Sequence, residues 1–98
     1  MRQHSFEASL WRWREGSWFF VTLPHDVTDE IDDLVSGTTS GFGAVKVEVQ
    51  VGTTRWSTSL FPSKEEGAYV LPVKKAVRTA EGLGDGDPAD VTITLVDR

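Results

Sequence analysis

The 98 residues carry ten basic and fifteen acidic side chains, a net charge of −5, two histidines and no cysteine. That length makes one small domain, in which folding buries roughly 60–70 % of the unfolded surface. The composition excludes a disulfide framework, a cysteine zinc site and a thiol nucleophile, leaves a multi-histidine metal centre short of ligands, and disfavours a broad phosphate-binding face.

The first half opens with a strand over about Ser5 to Arg14. Phe6, Ala8 and Leu10 alternate, and Trp11 and Trp13 then shift the apolar phase by one. Such a shift marks a β-bulge or a strand covered on both faces. Glu15-Gly16 reads as a tight hairpin loop with the glycine at positive φ. The return strand, Ser17 to Leu23, then sets Trp13 opposite Trp18 and Trp11 opposite Phe20. Pro24 ends it. A helix follows over about Val27 to Val35, with Val27, Ile31, Leu34 and Val35 on one stripe, Asp26 as N-cap and Gly37 just past the end. Ser36 to Gly43 is the softest stretch and joins the two halves.

In the second half Val45, Val47, Val49 and Val51 alternate with Lys46, Glu48 and Gln50, the pattern of a half-buried strand. Gly52-Thr53 matches a two-residue type II′ loop. That loop pairs Val49 with Trp56, Val47 with Thr58 and Val45 with Leu60, leaving Arg55, Ser57, Ser59 and Phe61 on the other face. Pro62 to Gly67 is a polar turn and Ala68 to Leu71 a short strand. Pro72 is placed to start a helix whose buried stripe is Val73, Ala76, Val77 and Ala80, and Gly82 stops it. After the turn Gly84 to Pro88, the last strand buries Val91, Ile93 and Leu95. Six strands and two short helices, in the order ββα-βββαβ, predict a mainly β fold, a partly closed barrel capped by helices, with an open α+β sheet as the alternative.

Several of these segments together are similar to a known family. They are Phe6-x-Ala8-x-Leu10, Trp18-x-Phe20-Val21-x-Leu23-Pro24, the valine strand with Gly52, Trp56-Ser57-Thr58-Ser59-Leu60-Phe61-Pro62, Tyr69-Val70-Leu71-Pro72-Val73-Lys74 with Val77-Arg78, and Gly86-Asp87 before Val91-x-Ile93-x-Leu95. Over nearly its whole length the chain resembles the bacterial and archaeal family termed domain of unknown function nineteen-oh-five. The resemblance implies a double-split β-barrel, similar in architecture to the AbrB and MazE DNA-binding dimers. It implies no activity. Some relatives join this domain to a segment resembling the YdeI and OmpD-associated proteins, which is not expected here. Pro88 departs from the family pattern and is expected to displace the start of the last strand by a residue or two.

The best candidate for chemistry is the cationic pair Lys74 and Arg78, four residues apart on the second helix. With Arg55, Ser57 and Ser59 as further donors, if their strand face lies nearby, it would form a pocket for a small anionic ligand. The same residues also fit a solvated surface in which Arg78 pairs with Glu81. Among the aromatics, Trp18 and Trp56 are expected in the core. Trp11 and Trp13, flanked by Arg12 and Arg14, are candidates for an exposed partner-contacting patch. Tyr69 completes the aromatic set. Catalysis finds no converging residues: His4 lies in a start expected to fray, His25 at a strand–helix junction, and there is no nucleophile elbow or phosphate loop. Asp85 and Asp87 fall short of a calcium loop.

The reading is therefore a small binding module for an anionic ligand or a protein partner, acting through Lys74 and Arg78 with no cofactor or metal. A regulator like AbrB and MazE is the alternative, and a hydrolytic enzyme ranks last. Six strands in one chain could close the barrel as a pseudo-dimer, so a monomer is expected rather than an obligate dimer. With no apolar run approaching the ~18–20 residues of a membrane span and no signal-peptide core, a cytoplasmic location is expected.

Overall fold

A computed structural model of the chain describes residues 3–14, 16–35 and 43–96. Within them seven strands and two helices run in the order β1 (Gln3–Ser9), β2 (Trp11–Arg12), β3 (Phe19–Thr22), α1 (His25–Val35), β4 (Val45–Val51), β5 (Thr54–Ser63), β6 (Ala68–Pro72), α2 (Lys75–Glu81) and β7 (Pro88–Leu95). The strands form one antiparallel sheet ordered β1-β7-β4-β5-β6-β3-β2. β1 and β2 lie at opposite edges of this sheet, yet a single residue, Leu10, separates them in the chain. The sheet must therefore curl until its edges approach each other, giving a half-barrel.

Seven strands replace the six expected because the opening strand is two. The phase shift at Trp11 marks where the chain leaves β7 and turns to pair with β3. Leu10, fully buried, sits at that corner. Its N–H donates to the Asp87 carbonyl at 2.8 Å, and its own carbonyl accepts the Gly86 N–H at 2.6 Å. The turn before β7 is itself braced by Asp87 Oδ2, which accepts the Gly84 N–H at 2.8 Å, while Asp85 Oδ1 accepts the Arg12 N–H at 3.1 Å. The corner thus loses no backbone hydrogen bond, which a buried bend must avoid. Pro88 is the first residue of β7, opposite Ser9.

The β4–β5 hairpin holds the expected register, with Val49 opposite Trp56, Val47 opposite Thr58 and Val45 opposite Leu60. Gly52 takes φ +59 and Thr53 does not enter the positive region, as a type II′ turn requires. The first hairpin differs from expectation. Trp13 N–H donates to the Trp18 carbonyl and Gly16 N–H to the Trp13 carbonyl, so the turn opens at Arg14, and it is Arg14, not Gly16, that takes a positive φ of 56°.

Both helices start elsewhere than expected. The first helical hydrogen bond of α1 runs from Thr28 N–H to the Pro24 carbonyl, so Asp26 lies inside the first turn rather than capping it. Val27, Thr28 and Ile31 are buried, but Leu34 is exposed. The expected stop at Gly37 and nearly all of the joining stretch 36–43 lie outside the described residues. Pro72 ends β6 instead of starting α2. Its partner is Phe20, and the next bond runs from Val73 N–H to the Phe19 carbonyl, so Phe20–Pro72 is a pair that asks for no N–H from the proline. Lys74 is still extended, at φ −72° and ψ 162°, and the helix is only seven residues long. Val73 and Val77 therefore reach the core while Ala76 and Ala80 stay exposed. Gly82 caps the helix in the left-handed region.

The core collects the inner faces of the curled sheet: Leu10, Val21, Val47, Val49, Leu60, Leu71, Val91 and Ile93, closed by Ile31 of α1 and Val77 of α2. His4 is not frayed. It pairs with Ile93 in β1, and its Nδ1 lies 3.2 Å from Glu30 Oε1 of α1. Tyr69 ties the same helix to β6, its hydroxyl donating to Asp32 Oδ1 at 2.6 Å.

Candidate functional site

β2, β3, β6 and β5 lie side by side, and their register stacks apolar side chains on the face turned away from the core. Trp11 stands opposite Phe20, Phe20 opposite Pro72, and Val70 opposite Phe61. Within β3, Val21 points inward and is fully buried, which turns Phe20 outward. Trp13 and Trp18 extend the row at the end of the first hairpin. The result is a groove of about 460 Å³ walled by Trp11, Trp13, Trp18, Phe20 and Phe61 over a floor of Pro62, Val70 and Pro72. Its polar lining among the described residues is Ser63 and Glu65.

Local interactions hold this surface in shape. The Trp11 and Phe20 rings are 5.2 Å apart and tilted, and Trp18 stacks nearly parallel to Phe20 at 6.3 Å. Trp11 Nε1 donates to Thr22 Oγ1 at 2.9 Å, and Thr22 in turn donates to Glu66 Oε1 at 3.2 Å, which fixes the indole plane. The Arg14 guanidinium lies 5.0 Å from the centre of the Trp13 ring. Even so, Trp13 is 42 %, Phe61 44 % and Trp18 60 % exposed. Trp18 is thus not the core residue expected, whereas Trp56 is half-buried and packs on the core. The indole N–H groups of Trp13 and Trp18 meet no acceptor among the described residues. The volume lies within the roughly 300–1,000 Å³ of ligand pockets.

The cationic candidates stand elsewhere. Lys74 is exposed just ahead of α2. Arg78 is half-buried: its Nε donates to the Val73 carbonyl at 3.2 Å, and its guanidinium stacks 3.9 Å from the centre of the Phe19 ring. The expected Arg78–Glu81 pair is not formed. Glu81 instead accepts the Thr54 hydroxyl at 2.6 Å and packs under Gly52. Arg55, Ser57 and Ser59 lie on the outer face of β5, while α2 sends Val77 to the inner side, so the sheet separates the two groups. Arg55 Nε donates to Gln50 Oε1 at 3.1 Å, Ser57 is 3.5 Å from Glu48 Oε2, and Ser59 stands opposite Lys46. Lys74 and Arg78 are joined through the backbone, the Arg78 N–H donating to the Lys74 carbonyl at 3.1 Å, and Arg55, Ser57 and Ser59 stand apart from them.

The pairings Trp11–Phe20 and Trp13–Trp18 follow from the sequence, as does an exposed Trp13, but not the outward face of Trp18. The signal was parity: Val21 and Leu23 alternate with Phe20 and the polar Thr22, so the Trp18–Phe20–Thr22 side faces outward.

Fold and surface together define a small, mainly β, barrel-like domain that displays an aromatic groove. The chain belongs to the family described as Domain of unknown function (DUF1905), whose model matches residues 6–93. No curated protein matches it. Among the described residues no helix is long and apolar enough to cross a membrane.

Proposed function

We propose that this domain is a binding module whose ligand lies in the aromatic groove. One observation carries the reading. Three large aromatic side chains stay between 42 % and 60 % exposed around a preformed concavity, although the same fold buries every inward-facing residue of β4 and β7. Leaving that much apolar surface in water costs about 25 cal/mol per Å², a cost that a ligand would relieve. Fluorescence of anilinonaphthalene sulfonate is the test. The dye is expected to brighten on the native protein and to lose most of that signal in Trp18→Ala. That substitution should change stability by no more than about 1 kcal/mol, because it removes an exposed ring. A dye response identical in the two proteins would rule the groove out.

A small anion at Lys74 and Arg78 is the second reading, favoured by the way Phe19 and the Val73 carbonyl hold Arg78 in one orientation. Inorganic phosphate should then shift the Arg78 amide saturably in an NMR titration, and a linear drift would end the idea. The split first strand and curled sheet support a double-split barrel closed by one chain, hence a monomer.

A further inference from the structure

Resting on the groove as the binding site, we infer that its ligand is a proline-rich segment in polyproline II conformation with a basic residue at one end. Three features of the groove select this chemistry. The first is its hydrogen-bonding character. Trp13 and Trp18 offer indole N–H donors, while the side-chain acceptors of the lining among the described residues are Glu65 and Ser63, whose Oγ already accepts the Glu66 N–H at 3.2 Å. An ordinary extended peptide brings N–H groups that this surface would leave unpaired, at a cost of roughly 1–3 kcal/mol each. Proline brings carbonyl acceptors and no N–H.

The second feature is size and shape. The groove crosses four adjacent strands, which at about 4.8 Å spacing span roughly 14 Å. That is the length of four or five polyproline II residues at about 3.1 Å each. Flat aromatic walls with proline rings between them suit a ligand of pyrrolidine rings, and such a helix is already ordered before binding.

The third feature is charge. Arg14 lies at the β2–β3 tip and Glu65 in the turn after β5. β3 and β6 are antiparallel, with Phe20 near Pro72 and Thr22 near Val70, so the two tips lie at opposite ends of the strands as well as on opposite sides of the groove, and a ligand crossing it diagonally meets one at each end. Glu65 gives the β5–β6 end an acidic rim, and the chain's net −5 draws basic partners.

The test is a fluorescence-polarisation titration of the full chain with labelled decaproline carrying one arginine at its end. Decaproline ending in glutamate and an arginine-tagged decaalanine are the comparison peptides. The arginine decaproline is expected to bind saturably, at least tenfold more tightly than decaalanine and several-fold more tightly than the glutamate form. Trp18→Ala should weaken it at least tenfold, Trp13→Ala should do the same, and Glu65→Lys should reverse the preference between the arginine and glutamate ends. If decaalanine binds as well as decaproline, or if neither proline peptide binds while the dye still reports the groove, the polyproline ligand is overturned and the groove stands. If sedimentation finds a dimer that Trp18→Ala dissociates, the occupant is a second copy and the inference fails. If neither dye nor peptide senses Trp18→Ala, both readings fail together.

Discussion

Tyr69 shows how one side chain couples packing to pH. Its ring is buried in the core and its hydroxyl donates to Asp32, while its backbone N–H lies 3.3 Å from Thr28 Oγ1, so a single residue joins β6 to α1 twice. Burial first, and then the neighbouring Asp32 carboxylate, push the phenol above its usual range, because the phenolate would lose hydration and face a like charge. A pKa raised on folding means that the protonated form is the one the fold favours. This contribution is complete below the unfolded value of about 10 and is lost as pH rises beyond it. Denaturation across the alkaline range should therefore show stability falling above about pH 10. Tyr69→Phe should lower the neutral plateau by about 1 kcal/mol, since Asp32 itself is exposed, and should flatten the alkaline fall. Equal slopes in the two proteins would dismiss the coupling.

The β4–β5 hairpin and α2 depend on each other through Gly52. Its φ of +59° disfavours any side chain, and a Cβ there would run into the Glu81 carboxylate. Gly52→Ala should cost about 1–2 kcal/mol for the backbone, and about 1 kcal/mol more as Glu81 is pushed from the Thr54 hydroxyl. In a double-mutant cycle read by urea denaturation, Gly52→Ala should cost less in the background of Glu81→Ala. Full additivity would show that the carboxylate is not what the methyl meets. The hairpin was legible in the sequence because period-two alternation and a two-residue loop leave one register. α2 was less so. Pro72 suits both a helix start and a strand end, and the choice fell to its pairing with Phe20, which lies far away in the chain. The groove was half legible for a related reason. Pairing across the first hairpin follows from local spacing, but whether its aromatics face core or solvent depends on β5 and β6 packing beside it. The arrangement of the cationic set was not legible, because alternation on β5 and helical spacing on α2 are each local, and neither reveals that the sheet stands between them.

The curl of the sheet rests on the most distant pairing in the molecule. β1 spans Gln3–Ser9 and its partner β7 spans Pro88–Leu95, with seven residue pairs between them. β7 also pairs with β4, so it lies between the two halves rather than at an edge. Removing residues 88–98 should therefore unfold the domain as a whole, seen as loss of sharp amide dispersion in NMR. A truncated chain that kept the β4–β5–β6 signals in their native positions would show that the second half stands alone.

The corner at Leu10 extends this to the order of events during synthesis. The Leu10 N–H and carbonyl are both bonded to the 86–87 backbone, so nothing made before those residues can seat the corner. Until β7 is made, β1 has no ladder partner among the described strands, and Phe6, Ala8 and Leu10 lack the cover that pairing gives. Docking of β1 is therefore expected to wait for β7. β1 precedes every other described strand yet is placed only with β7, and a stall shortly before Asp87 would leave its apolar residues open to chaperones and proteases.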